Sequence, residues 1–149
     1  MARRTGGPLI QLAAFWDSSA LVALCATQSS TPEALRWKQH YNIVIWWGTP
    51  VEIASALARF LRTGFLDTRE WGEASQLSQR LARLWYVIEP SPALRAGAVE
   101  IVQRYDLRSG DAWQLAAALE WCGHVPQGRR FLTADQRLRD AAVLSGFDA

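Results

Sequence analysis

Apolar residues along this chain fall into short uncharged runs separated by longer stretches in which they recur every third or fourth position. Ala13-Ala14-Phe15-Trp16 is a compact apolar run that stops at Asp17 and reads as a buried strand. Ile43-Val44-Ile45-Trp46-Trp47 is β-branched and aromatic, carries no charge, and is broken by Gly48, which marks a second strand. Val87-Ile88 and Arg130-Phe131-Leu132 are shorter candidates. Between them the period becomes helical. Ser18 and Ser19 are suitable N-caps for a helix over 20–25. Thr31-Pro32-Glu33 offers a cap, a proline at the first helical position and an acid in the first turn, so a helix runs to about Tyr41. Thr49-Pro50 opens another that stops near Gly64. Asp67 and Glu70 have the spacing of a capping box, opening a long helix with apolar positions near Leu77, Leu81, Leu84 and Trp85. Pro92 starts a helix that ends near Tyr105, a helix after Gly110 has Leu115, Ala118 and Leu119 on its apolar side, and the last covers about 136–144. Residues 1–11 read as a disordered or extended leader and 12–149 as one domain.

Strands that alternate with helices imply an α/β fold with a parallel sheet covered on both faces. Ligands of such folds gather beyond the carboxyl ends of the strands. Asp17 ends the first strand, Glu52 lies in the first turn of the helix after the second, and Asp135 shortly follows Phe131-Leu132. These three point to one edge of the sheet. Asp111 opens the Ala-rich helix and joins them if that helix packs with its N-terminus there. Taken singly, each is a first-turn or strand-end acid that offsets a helix dipole by about 0.3–1 kcal/mol. Taken together they would repel, and a divalent cation is the natural compensation. All-oxygen ligands suit Mg²⁺ or Mn²⁺ better than Zn²⁺. One or two such ions can generate hydroxide and stabilise the leaving oxygen of a phosphodiester.

Composition narrows this only a little. Half of the 149 residues are hydrophobic and 20% are charged, an ordinary globular balance. A net charge of +2 does not by itself announce a nucleic-acid binder. Of the 16 basic residues Lys38 is the only lysine, so the basic side is arginine, whose planar fork suits phosphate oxygens; genome composition gives the same bias. Cys25 and Cys122 stand singly in apolar helical patterns and read as buried free thiols. Arg3 and Arg4 before an apolar stretch resemble a secretion signal, but Asp17 and two serines interrupt it. No run reaches the ~20 apolar residues needed to cross a bilayer, and a cytoplasmic protein without a membrane is expected. No Gly-rich phosphate loop is present. A phosphate-accepting response regulator would need a lysine late in the chain.

Four pieces, in order, carry a resemblance to a known family: Trp16-Asp17-Ser18-Ser19-Ala20-Leu21; Thr49-Pro50-Val51-Glu52-Ile53; Ser109-Gly110-Asp111-Ala112 leading into Leu115-Ala116-Ala117-Ala118; and Phe131-Leu132-Thr133-Ala134-Asp135 continuing to Gly146-Phe147. In these the chain resembles the PIN-domain ribonucleases, and most the VapC toxins of bacterial and archaeal toxin–antitoxin pairs. The resemblance implies a three-layer sandwich with a central parallel sheet of four to five strands flanked by helices. It also implies a Mg²⁺- or Mn²⁺-dependent endoribonuclease, a homodimer, an RNA substrate and an antitoxin protein as partner. The family's metal-binding acids fall on Asp17, Glu52, Asp111 and Asp135. Its hydroxyl near the last acid falls on Thr133, which would hold a carboxylate or a water of the metal, and a further hydroxyl falls on Ser18, equally a helix cap. The chain departs from the family in a longer leader, in Trp16 beside the first acid, in Trp113 after the third, and in stopping at Ala149, where relatives often add a last edge strand.

Other residues stay open at this level. Arg104, Arg108, Arg129 and Arg130 are candidates for holding RNA phosphates, or are solvated surface charge. Asp106 is read as a surface acid paired with Arg108 or Arg104, not a ligand. His40 and His124 match no catalytic arrangement. Trp46 and Trp47 alternate across a strand, so one either faces the site and stacks a base or packs in the core. Two other functions compete with the toxin: a catalytically idle PIN-type module that binds RNA or protein, and a PIN nuclease of RNA processing without an antitoxin.

Overall fold

A computed structural model describes residues 12–149; the leader expected over residues 1–11 lies outside the described residues. In chain order the elements are β1 (Leu12–Trp16), α1 (Ser18–Cys25), α2 (Thr31–His40), β2 (Tyr41–Trp46), α3 (Thr49–Arg62) and α4 (Thr68–Ala82), then β3 (Tyr86–Ile88), α5 (Pro92–Arg104), α6 (Ser109–Trp121), β4 (Phe131–Leu132) and α7 (Gln136–Ser145). The strands form one sheet in the order β3-β2-β1-β4, and every pairing is parallel. β1 is central and registers Phe15 against Val44 on one side and Phe131 on the other.

Side chains alternate across the strands, and the two faces bury different helices. Ala14, Trp16, Ile43, Ile45 and Leu132 face a cluster completed by residues of α1–α4, such as Leu21, Ile53, Leu57 and Leu81. Phe15, Val44, Trp46 and Phe131 face the other, filled by Leu94, Ile101, Leu115 and Leu138 of α5–α7. Phe131 stacks on Phe15 with centroids 5.4 Å apart. The result is the three-layer α/β/α sandwich that the alternating sequence predicts.

Local chemistry accounts for the boundaries, and four features differ from the sequence reading. Asp67 and Glu70 form the expected capping box. The caps expected at Ser18 and Ser19 are corrected: Asp17 is the N-cap of α1, with an extended backbone (ψ 155°) and a carboxylate that accepts from Ser19 N at 3.2 Å. Both serines lie inside the first turn. α4 stops at Ala82, so Leu84 projects into solvent instead of continuing the apolar stripe, while Trp85 turns back to pack on the α1–α4 core. The last edge strand is reduced to one parallel bridge between Arg130 and Asp148, with Phe131 N donating to Asp148 O at 2.9 Å. Cys25 and Cys122 are free and half-buried rather than fully buried. Among the described residues no helix is long and apolar enough to cross a membrane.

Candidate active site

Parallel strands deliver their following loops to one edge, and the four acids meet there. Asp17, Glu52, Asp111 and Asp135 all line a single open cavity of about 570 Å³, with Arg59 and Arg108 also on its wall. Glu52 reaches it because α3 starts immediately after β2. Asp111 reaches it because α6, docked on β2 and α5, presents its N-terminus to this edge.

Asp17 is 3% exposed. Its Oδ2 accepts from the hydroxyl of Ser19 and, at 2.9 Å, from the hydroxyl of Thr133. The Ser19 and Thr133 hydroxyl oxygens lie 3.2 Å apart. Thr133 in turn accepts from Asp135 N at 3.0 Å, and Ser19 Oγ accepts from Ala134 N at 2.9 Å. Two hydroxyls thus tie the end of β1 to the turn after β4. Arg139 fastens the same turn by donating to Thr133 O at 2.7 Å.

Glu52 is held from another direction. Ser18 Oγ donates to its Oε2 at 2.8 Å. Gln114, fully buried on the Ala-rich face of α6, directs its amide nitrogen to both Glu52 oxygens at 3.2 Å and to Thr49 Oγ1 at 3.1 Å. Its Oε1 is buried without a hydrogen-bond partner among the described residues. Asp135 accepts from Leu138 N at 3.0 Å as the cap of α7.

These carboxylates are short of positive charge. Among the described residues no ion pair reaches any of the four; the pairs that form are Arg69–Glu73, His124–Glu120 and Arg137–Asp106. Burial pushes the Asp17 carboxyl above its usual range although hydroxyls and amides pull the other way. Burial also raises Glu52, opposed by Ser18 and Gln114 and reinforced by the charges of Asp17 and Asp111. Asp111 is pushed up to about 6 by burial and then by the charges of Asp135 and Asp17. Glu52 and Asp111 are thus raised partly by neighbouring carboxylates, as expected of acids gathered without a cation.

The donor set is therefore all oxygen, partly desolvated and electrostatically unbalanced, which fits a hard divalent cation. Among the described residues no three carboxylates, imidazoles or thiols already close on one point as a finished metal cage.

The other residues singled out from the sequence divide by location. Ser18 and Thr133 sit in the hydrogen-bond network, and Arg108 lines the cavity. Arg104, Arg129 and Arg130 are placed elsewhere, each over an aromatic ring: Tyr105, Trp121 and Tyr41 respectively. Arg130 precedes β4, at the end of the sheet opposite the acids, and its Nε is buried. Asp106 is a surface acid as expected, but its partner at 3.7 Å is Arg137 rather than Arg104 or Arg108. His40 is exposed at the end of α2, and His124 lies in a loop beside Glu120. Three site residues escaped the sequence reading. Arg59 gave no signal beyond its charge, and Ser19 was read only as a cap. Gln114 did offer a signal: a lone amide amid Ala112, Leu115, Ala116, Ala117 and Ala118, where an apolar residue is the norm.

The profile of the PIN domain family matches residues 14–144. No curated protein sequence matches the chain. Among solved structures, VapC20 of Mycobacterium tuberculosis, described as a sarcin–ricin-loop-cleaving toxin, aligns with a TM-score of 0.64 at 20% identity, covering 87% of this chain and 95% of that one. A toxin–antitoxin complex from Klebsiella pneumoniae gives 0.61 at 17% identity over 84% of this chain and 88% of that one. A protein of Pyrobaculum aerophilum gives 0.60 at 24% identity over 89% and 86%. At these identities the likeness is one of fold, and it agrees with the sheet and helix layers described above. The sequence profile, spanning all four strands and all four acids, goes further: this chain belongs to the PIN domain family.

Proposed function

We propose that this protein is a divalent-metal-dependent endoribonuclease and the toxin of a toxin–antitoxin pair. The observation that carries this reading is the cavity into which Asp17, Glu52, Asp111 and Asp135 converge without an ion-paired base. Those four carboxylates would hold Mg²⁺ or Mn²⁺. When bound, the ion supplies the positive charge that activates water and stabilises the leaving oxygen of a phosphodiester.

The remaining work falls to the chain itself. The hydroxyls of Ser19 and Thr133 fix the Asp17 carboxylate by donating to one of its oxygens, and Gln114 with Ser18 fixes Glu52. Arg59 and Arg108 stand on the cavity wall, where a guanidinium meets phosphate oxygens of the strand being cut. Without a metal, burial and the neighbouring acids hold Asp111 protonated below a pH of about 6. A complete set of acids and their supports argues against the idle-module alternative, in which selection on the site would have lapsed.

The antitoxin belongs to the same proposal. An open, anionic cavity flanked by the exposed Val51 side chain suits a partner segment offering an arginine beside an apolar residue. A homodimer is expected with it, and light scattering on the purified chain checks that state. The decisive assay incubates structured RNA with wild type and Asp17→Asn, with Mg²⁺ or Mn²⁺ and with chelator. Metal-dependent cutting that Asp17→Asn lacks is the expected result. Chelator-resistant cutting, or full activity in the variant, overturns the reading.

A further inference from the structure

A second, smaller groove lies on the same edge of the sheet, beyond the carboxyl ends of β2 and β3. Its volume is about 370 Å³, and it is lined by Pro90, Ser91, Pro92, Arg95 and Trp113. Trp46, the last residue of β2, stacks on Trp113 with centroids 5.2 Å apart and ring planes 2° from parallel. Trp46 is buried, whereas Trp113 is half-exposed. One face of the Trp113 indole is thus covered, and what remains open contributes to the groove. Pro90 and Pro92 line the same groove, and Arg95, exposed on α5, places a guanidinium at its rim. The stack is built into the backbone as well. A Cβ on Gly48 would lie 2.6 Å from Trp46 Nε1, so the chain passes under the indole only because residue 48 has no side chain.

α6 joins this groove to the acids. Asp111 lines the large cavity, Gln114 fastens Glu52, and Trp113 between them lines the small groove. Asp111 and Trp113, two residues apart on α6, thus set the groove beside the cavity.

We propose that the groove is a stacking subsite for one unpaired nucleobase of the RNA strand whose phosphodiester lies over the carboxylates, with Arg95 at the adjoining phosphate. This rests on the endoribonuclease reading and adds to it a place for one base beside the carboxylates. The groove suits a flat, apolar group attached to an anion. Aromatic rings hold nucleobases without regard to sequence, and an arginine at the rim supplies the charge complementarity.

Binding is measured by anisotropy of a labelled, unstructured oligoribonucleotide at neutral pH in chelator, so that no cutting occurs. The comparison oligomer has the same backbone with abasic positions. Wild type binds the intact oligomer more tightly. Trp113→Leu loses about tenfold in affinity, the value of one stacked base, and no longer discriminates between the oligomers. Trp113→Phe, which keeps a ring, retains most of both, and thermal melts show that each variant is folded. Arg95→Ala lowers affinity for both oligomers alike and reduces the salt dependence by about one phosphate contact. Equal binding of the two oligomers by wild type, or undiminished affinity in folded Trp113→Leu, overturns the proposal and leaves the groove to a protein ligand. Base-sensitive binding by a protein that proves unable to cut RNA keeps the subsite and removes only the nuclease reading.

Discussion

Asp17 and Glu52 take their hydrogen bonds from side chains that arrive from far along the chain, Thr133 and Gln114 among them. Asp111 and Asp135 take theirs from nearby backbone, at Arg108 and Leu138. One half of the cavity is thus fixed by tertiary structure, while the other is fixed by the local geometry of helix starts. The difference teaches what each half contributes. In the fixed half, neutral donors occupy carboxylate lone pairs and set orientation, yet supply no charge, which is why both acids remain raised by burial. In the open half Asp111 answers to neighbouring charge, its carboxyl raised after burial by Asp135 and Asp17.

The sharpest way to break this division is to strip the fixed half of its hydroxyls. Ser19→Ala combined with Thr133→Val leaves the Asp17 carboxylate buried and short of donors. Cleavage is expected to fall about a hundredfold, since outer partners of a metal ligand are typically worth ten- to a hundredfold. The melting temperature should fall too, because each unsatisfied buried partner costs about 1–3 kcal/mol. Retention of both activity and stability would mean that the network is incidental.

Gln114→Leu tests the other fixed acid with a smaller expected loss, about tenfold in activity at limiting Mg²⁺, recovered as Mg²⁺ is raised. Gln114→Glu should be the more damaging change, because it sets a second carboxylate against Glu52. A Leu variant whose loss persists at saturating metal would place Gln114 in the core packing alone.

For the open half the readout is stability against pH. The Asp111 pKa lies at about 6 in the folded chain against an ordinary 3.8, so the folded state binds more protons than the unfolded chain between those values. The contribution of this group is therefore full below a pH of about 4 and is lost as pH rises through about 6. Metal-free wild type should melt lower at pH 7 than at pH 5 on this account. Asp111→Asn should flatten that slope and melt at or above wild type at pH 7. Mg²⁺ at a hundredfold over its dissociation constant should reverse the order by adding about 2.7 kcal/mol to the protein that binds it. Equal responses of the two proteins to Mg²⁺ would reduce Asp111 to a helix-start acid. The smallest effect is expected outside the cavity. Asp106→Asn, which removes an exposed pair with Arg137, should change neither cleavage nor melting temperature.

Much of this architecture was legible because local chemistry and tertiary role coincide. The strand Ile43-Val44-Ile45, the capping box at Asp67 and Glu70 and the proline starts of α3 and α5 are each set by their own residues, and each formed where expected. The acids were legible for a topological reason: a parallel sheet collects strand-end residues at one edge. What stayed hidden depends on which residues meet across the fold. Nothing local distinguishes Arg108, which reaches the cavity, from Arg130, which packs over Tyr41 at the other end of the sheet. Ser19 has the propensity of a cap, and only the arrival of Thr133 and Ala134 makes it a bridge. The α1 cap went to Asp17 because a carboxylate at an extended residue reaches the amide two positions on.

The central position of β1 also gives the site an order in time. Asp17 is synthesised well before the Thr133 hydroxyl that binds it, which follows 116 residues later. β4 and the bridge to Asp148, which pair against the far side of β1, are made last. Until then Asp17 ends a strand with one bare edge, and neither Thr133 nor Asp135 exists to complete the cavity. A nascent or prematurely terminated chain thus carries Asp17 and Glu52 in an unfinished site.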